Sequence, residues 1–281
     1  MLAEEGDWVT LYSYHPLAPA TMEHFSAIDW SKIDRLRIDP VSACNARCVF
    51  CFADFDNIPV RQLPMEDVAL LLAHPAFKTT KISIGCAYEP LMGKHFEKYA
   101  DLFASYHSNW ECVIVTNGIM LDKKDIAPWV RIGLDHLHVS VHSHLSDVYD
   151  RVLGTRNMFE RVERNLKMVR SRFPDISIRL TNVVSKENAI DLTGFFQWAF
   201  DEIGADKIEV YRAVFQELRH SAPYLEAWRA QQQRSPSLTD EEWAAVISEC
   251  SKAAPGTYNG RFLSGVDHVI FDRNATAQAA E

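Results

Sequence analysis

The sequence predicts an α/β fold: a partial (β/α)6 barrel with a C-terminal helical and strand extension. Two observations carry this expectation. Six short segments rich in Val and Ile recur between residues 35 and 214: "RLRIDPVS" (35–42), "TKISIGCA" (80–87), "ECVIVTNG" (111–118), "HLHVSVHS" (136–143), "SIRLTNVV" (177–184) and "KIEVYRAV" (207–214). Their length and their polar or Gly closures read as strands. Helical patterns fill the intervals.

The helices can be justified one by one. Between Asn157 and Phe173, the residues Phe159, Val162, Leu166 and Val169 recur at three- and four-residue steps, with Arg161, Arg164, Lys167 and Arg170 on the other face. Pro174 stops that helix. Leu192, Phe195, Phe196, Ala199 and Phe200 make a second stripe, and Gly204 stands where a C-cap belongs. Strands alternating with helices imply parallel pairing with right-handed crossovers. Such folds place chemistry at the C-terminal strand ends. Past residue 214 the pattern loosens. Residues 215–238 read as a connection, Thr239 opens a capping box with Glu242, and that helix ends by Pro255-Gly256. "RFLSGVDHVIFD" suggests one or two further strands, and the residues from Arg273 read as a frayed tail. The expected organisation is an N-terminal extension (1–34), a barrel core (35–214), and a C-terminal extension (215–281) that covers the barrel and ends in a disordered tail.

Composition narrows the function. The chain has 281 residues, 47% hydrophobic and 24% charged, with a formal net charge of -9. That sign argues against nucleic acid as the main partner. No stretch approaches the roughly 18 apolar residues of a membrane span. The N-terminus lacks the basic and apolar regions of a secretory signal. The expectation is a cytoplasmic protein whose thiols stay reduced, which makes the sequon at Asn274 a chance match.

Of six cysteines, three lie in "CNARCVFC", as Cys44, Cys48 and Cys51, just after the first strand. Close spacing in a reduced chain points to metal or catalysis. Structural zinc needs four ligands; Asp54 or Asp56 would have to supply the fourth, and three thiolates with one carboxylate is uncommon. An iron–sulfur cluster fits better. A [4Fe–4S] cluster normally takes four thiolates, so three leave one iron open to a substrate or cofactor. Cys86, Cys112 and Cys250 are isolated and read as small hydrophobes.

The C-x3-C-x2-C spacing, with Phe50 before the last cysteine, resembles the signature of the radical S-adenosylmethionine (radical SAM) superfamily. Further segments follow in order. "GCAYEPLMGKHF" resembles the family's Gly-Gly-Glu segment, "VTNGIML" its Thr-Asn-Gly ending, and "HVSVHSH" places Ser140 at the family's polar ribose position. "VYDRVLGTRNMFERVERNL", "VVSKENAIDL" and "EIGADKIEV" resemble the next units. The resemblance covers residues 35 to 214. It implies a TIM-like partial barrel holding one [4Fe–4S] cluster on Cys44, Cys48 and Cys51. It implies an S-adenosylmethionine site drawing on Phe50, Ala87, Glu89, Asn117, Ser140 and Arg179, with Glu89 taking the amino group. Ala87 and Tyr88 replace the family's paired glycines, which narrows the backbone conformations available there. With only Cys250 beyond the barrel, no auxiliary-cluster (SPASM-type) extension is evident.

The implied activity is reductive cleavage of S-adenosylmethionine to a 5′-deoxyadenosyl radical that abstracts hydrogen from substrate. Epimerisation, oxidation and dehydration all remain open outcomes. Tyr88, His142, His144 and Tyr211 are the candidate catalytic side chains. With Arg179, Asn182 and Arg212 near the same strand ends, they suggest a polar, partly cationic pocket for a sugar-like or nucleotide-linked small molecule or a peptide. His142 and His144 share the parity of Ser140, which suggests one common face. A low-potential donor such as a flavodoxin or ferredoxin is implied, with Arg47 and Arg61 as a basic dock. The alternatives are a radical SAM enzyme acting on RNA and a non-enzymatic zinc or scaffold protein.

Overall fold

Strand pairing in the computed structural model follows the alternation of the sequence. It describes residues 2–5, 8–12, 29–30, 33–51, 59–75, 77–85, 87–213, 237–254, 256–261 and 267–273. Asp54, Asp56, Cys86, Pro255, residues 214–236 and the tail bearing Asn274 lie outside the described residues. The chain divides into two compact units: Met1–Asn45 with Phe55–Leu137, and Ala46–Asp54 with His138–Glu281.

In the first unit, β1 (Leu2–Glu5) pairs antiparallel with β2 (Trp8–Tyr12). Then β2, β3 (Arg35–Asp39), β4 (Lys81–Ile84) and β5 (Glu111–Thr116) pair in parallel, in that order. Leu36, Ile38, Ile82, Ile84, Cys112 and Ile114 from these strands are wholly buried. These residues recur at every second position of their strands, and short segments of that composition are what the sequence showed clearly. The two N-terminal strands were not expected. "WVTLY" is short, and its partner β3 lies far along the chain. Helices α1 (Met65–Leu72), α2 (Phe96–Tyr106) and α3 (Ala127–Ile132) follow β3, β4 and β5. The core of α2 is Phe96, Tyr99, Ala100 and Phe103, one face of a 3.6-residue period.

Strand β6 (Leu134–Ser140) carries the chain from the first unit into the second. In the second unit, β7 (Ser177–Val184) and β8 (Lys207–Arg212) pair in parallel. The extension then adds β9 (Gly256–Arg261) and β10 (Asp267–Asp272), with β10 antiparallel to both β8 and β9. Helices α4 (Ser146–Leu153), α5 (Phe159–Arg172) and α6 (Leu192–Gln197) form as the sequence suggests, and α6 continues as a π-helical turn over Trp198–Glu202. Helix α7 (Asp240–Ala253) opens with the capping box of Thr239 and Glu242, whose reciprocal bonds measure 3.2 and 2.7 Å. One sheet face is apolar: Ile178, Leu180, Ile208, Val210 and Phe271 are buried, and Phe271 meets Phe196 edge-on at 4.9 Å. The opposite face carries Arg179, Glu209, Tyr211 and His268.

Five of the six core strands stop two or three residues before their apolar segments do. Most of the residues beyond (Pro40 to Ser42, Asn117 and Gly118, His142 and Ser143) build loops, while Val141 N–H still donates to the Thr181 carbonyl at 3.0 Å. Gly85 follows β4 with φ +82°, and a Cβ there would sit 2.5 Å from the Val115 carbonyl and 2.7 Å from Pro90. Gly85→Ala is expected to cost about 3 kcal/mol, from positive φ and overpacking together. Thermal unfolding should show it as a fall in Tm of about 6 to 12 °C; an unchanged Tm would mean that the turn relaxes.

Candidate active site

The cysteine loop is pinned at its base in the first unit. Ser42 N–H donates to the Arg61 carbonyl at 3.0 Å, Arg61 N–H donates to Ser42 Oγ at 2.8 Å, and Ser42 Oγ–H donates to the Pro59 carbonyl at 2.8 Å. Leu63 N–H reaches the Pro40 carbonyl at 2.9 Å. These bonds hold the two ends of the loop together without help from any thiol. In the second unit, Arg47 and Val49 N–H groups donate to the Leu153 and Val152 carbonyls at 2.7 and 2.9 Å. The loop thereby rests on the end of α4. Gly154 allows this approach: its φ is +62°, and a Cβ would meet the Arg47 carbonyl at 2.9 Å. Cys51 N–H donates to the Cys48 carbonyl at 3.0 Å, closing a turn between them. Cys44, Cys48 and Cys51 are half-buried thiols, not disulfides.

The other residues of the first unit converge on Glu89. This carboxylate is only 2% exposed. Its oxygens accept from Leu91 N–H at 3.1 Å, Thr116 Oγ–H at 2.7 Å and Asn117 N–H at 2.8 Å. Burial pushes its pKa up to about 7, against the pull of those three donors. Asn117 links this carboxylate to the cysteine loop: its Nδ2 donates to Asn45 Oδ1 at 2.7 Å and lies 3.7 Å from Cys44 Sγ. Ala87 and Tyr88 are half-buried, and neither has positive φ. The turn therefore tolerates side chains where the family has glycines, and Gly85 supplies the unusual backbone two residues earlier.

In the second unit, Phe50 and His142 meet edge-to-face at 4.8 Å and 88°. His142 Nδ1 accepts from Val183 N–H at 3.1 Å, and burial lowers the His142 pKa to about 3. This imidazole is neutral near pH 7 and fixed in orientation. His144 Nε2 faces Asp191 at 3.3 Å. Strand β6 ends at Ser140, so strand alternation does not govern the placing of His142 and His144. Ser140 itself is half-buried at the strand end. Arg179 Nη1 pairs with Glu209 at 3.2 Å, and Tyr211 O–H donates to the same carboxylate at 3.0 Å. Arg212 is held by Asp240 at 2.6 Å and by the Leu238 carbonyl. Asn182 accepts from Asn188 Nδ2 at 3.1 Å. The cationic pocket inferred from these residues is thus largely neutralised by protein partners.

Sequence reasoning missed Thr116, Glu209 and His268. The alternation of "KIEVYR" put Glu209 on the face of Tyr211, a readable signal. Nothing local placed His268 beside them, since β10 meets β8 across more than 50 residues of chain.

Three thiols on one pinned loop, without a fourth, are a donor set that suits an iron–sulfur cluster with one open iron. Among the described residues, no three His, Cys, Asp or Glu side chains gather as a single metal ion requires. Comparison with known proteins agrees with that chemistry. The family model described as the Radical SAM superfamily matches residues 38–199. GTP 3',8-cyclase of Helicobacter pylori (strain HPAG1) is 26% identical over 217 residues, covering 71% of this chain and 61% of the relative. Coproporphyrinogen III oxidase (HemN) of Escherichia coli shares the fold with a TM-score of 0.55 at 12% identity, over 86% of this chain and 56% of that one. SuiB of Streptococcus suis, solved with S-adenosylmethionine, has a TM-score of 0.54 at 16% identity, over 72% and 49%. The chain spans less than two thirds of the length of the curated relatives it matches.

The chain belongs to the radical SAM superfamily. Its fold is α/β and of the partial-barrel kind, and the cofactors of the superfamily are a [4Fe–4S] cluster and S-adenosylmethionine. Among the described residues, no helix is long and apolar enough to cross a membrane.

Proposed function

We propose that Cys44, Cys48 and Cys51 hold the single cluster, and that Glu89 receives the amino group of S-adenosylmethionine. The observation that carries this is the unfinished coordination of Glu89. A carboxylate has about four acceptor positions, and among the described residues three are taken, by Leu91, Thr116 and Asn117. The fourth suits an ammonium donor. Asn117 then serves both partners, orienting Glu89 through its backbone and facing Cys44 through its side chain. A donor beside a cluster sulfur also tunes the reduction potential. Phe50 and the neutral His142 shield the loop without offering an acidic proton. Tyr88, Ala87, Ser140 and Arg179 are further candidates for the cofactor and substrate walls. When bound, the cluster and S-adenosylmethionine supply a one-electron cleavage that yields a hydrogen-abstracting 5′-deoxyadenosyl radical.

The substrate in this reading is a polar small molecule, sugar-like or nucleotide-linked, or a peptide; the name of the Helicobacter relative supports the nucleotide-linked class. The core is residues 35–214, with 215–281 as an extension, and the setting is the cytoplasm, where the thiols stay reduced. Anaerobic reconstitution followed by incubation with S-adenosylmethionine and dithionite tests the reading. Deoxyadenosine and methionine should accumulate; a reconstituted protein that releases neither refutes it.

Reduction requires a donor, and acidic flavodoxins or ferredoxins suit the exposed Arg47 and Arg61. Charge reversal at both is expected to slow reduction by such a donor about tenfold, leaving the dithionite rate unchanged. Stopped-flow bleaching of the cluster measures this, and equal rates with the protein donor would remove both arginines from the dock.

A further inference from the structure

We propose that Tyr211 and His268 form a substrate-binding wall for an uncharged, hydroxyl-bearing ring of pentose or hexose size, with Glu209 as the positioning residue behind them. This rests on the reading of the chain as an enzyme for polar small molecules, and it names the part of the substrate bound here. Strand β10 pairs with β8 so that His268 lies opposite Tyr211 and Ile270 opposite Glu209. The two rings stack at 4.1 Å with an interplanar angle of 11°. They stand on the face opposite Phe271 and the helices. Tyr211 is the half-exposed member and His268 the buried one, at 5%. Strand β10 lies outside the matched residues 38–199, so the extension adds this histidine to the family core.

The chemistry of the wall follows from its charge balance. Burial alone would raise the Glu209 carboxyl. His138, His268 and Arg179 beside it, with the Tyr211 hydrogen bond, hold it below the usual range instead. Burial lowers the His268 pKa, which leaves Arg179 as the permanent cation beside Glu209. Lys207 pairs with Asp272 at 3.0 Å, and Arg212 with Asp240 at 2.6 Å. Each of these three cations on β7 and β8 therefore already has a carboxylate, and a phosphate would have to break a pair to be held by one of them. Tyr211 gives its proton to Glu209 at 3.0 Å, so what it offers a ligand is an acceptor. A ligand hydroxyl fits that acceptor, and a sugar ring fits the aromatic pair.

Location supports a substrate role. Tyr211 is the register partner of Val183, whose N–H binds His142, whose ring packs on Phe50 in the turn between Cys48 and Cys51. Adjacent strands lie about 4.8 Å apart. The wall therefore stands at the same strand end as the cysteine turn, about two strand spacings across the sheet.

Saturation-transfer NMR on the reconstituted full chain with S-adenosylmethionine bound tests the proposal. The probes are ribose, glucose and guanosine, each beside its phosphorylated counterpart (ribose 5-phosphate, glucose 6-phosphate, GTP). Uncharged probes should receive saturation, shift the His268 imidazole resonance (assigned by its loss in His268→Gln), and bind no more than about threefold more weakly than their counterparts. Tyr211→Phe should weaken them at least about fivefold, and Glu209→Gln should do so while changing the pH dependence of binding. Binding of phosphorylated probes alone, no shift of His268 with any probe, or equal affinity in Tyr211→Phe would overturn it. Deoxyadenosine formation by the wild-type sample is followed in parallel. If it proceeds while no probe touches His268, the wall is wrong and the enzyme reading stands; if it fails, the enzyme reading itself is wrong.

Discussion

Replacing Cys44, Cys48 and Cys51 together by alanine is expected to abolish iron and sulfide uptake and to reduce deoxyadenosine formation to background. The fold of the metal-free chain should survive. The loop is held by backbone bonds of Arg47, Val49 and Leu63 and by the Ser42–Arg61 clasp, none of which uses a thiol. Melting of the metal-free variant should accordingly fall within about 2 °C of the metal-free wild type, since small polar-to-alanine changes at half-buried positions cost little. Single replacements separate the roles. Cys44→Ala also removes the sulfur facing Asn117 Nδ2, so any cluster it still assembles should show a shifted reduction potential. Iron and sulfide assays, potentiometry and chromatography of deoxyadenosine measure these outcomes. Full cleavage activity in the triple variant would show that the ligands lie elsewhere.

Glu89→Gln is expected to weaken S-adenosylmethionine binding by about 10- to 100-fold, the size of a charge-assisted hydrogen bond. It also sets an amide NH2 against either the Asn117 N–H or the Leu91 and Thr116 donors, which should destabilise the metal-free chain by about 1 to 3 kcal/mol. The two effects separate by pH. The folded carboxyl titrates at about 7, above its ordinary value of 4.5. A raised carboxyl pKa means that the folded state holds its proton more tightly than the unfolded chain. The associated stability is present below the ordinary value and is lost as pH rises through about 7. The wild-type Tm, measured relative to Glu89→Gln, should therefore decline between about pH 5 and pH 8. An ammonium arriving at Glu89 favours the carboxylate, so binding near neutral pH should release a proton in the wild type and none in Glu89→Gln. Calorimetry in buffers of different ionisation enthalpy reads that proton. Unchanged affinity with a lowered Tm would reduce Glu89 to a structural role.

Particular residues show how far the sequence could be read. The core strands were legible because they are short, carry Val and Ile, and are closed by polar or Gly residues. The ends of the strands were not. "KISIGCA" and "HLHVSVHS" run on past Ile84 and Ser140, where the regular strands end. The parity shared by Ser140, His142 and His144 therefore lost its meaning. Glu89 was legible by its place in the motif. That its carboxylate is buried, accepts three donors and bridges through Asn117 to Cys44 was not, because Thr116 and Asn117 reach it from a different strand.

The sequence by itself determined the alternation of strands and helices, the caps that end the helices, and the family, with three cysteines whose spacing leaves a cluster one ligand short. These are local properties: periodicity, turn chemistry and spacing act within a few residues of chain. Only the tertiary structure decided which charges are already matched, that Arg179 faces Glu209, that Arg212 faces Asp240, and that His268 stacks on Tyr211. Those pairings join residues between 28 and 57 positions apart through strand register and burial. Their electrostatics depends on desolvation, which no local pattern encodes.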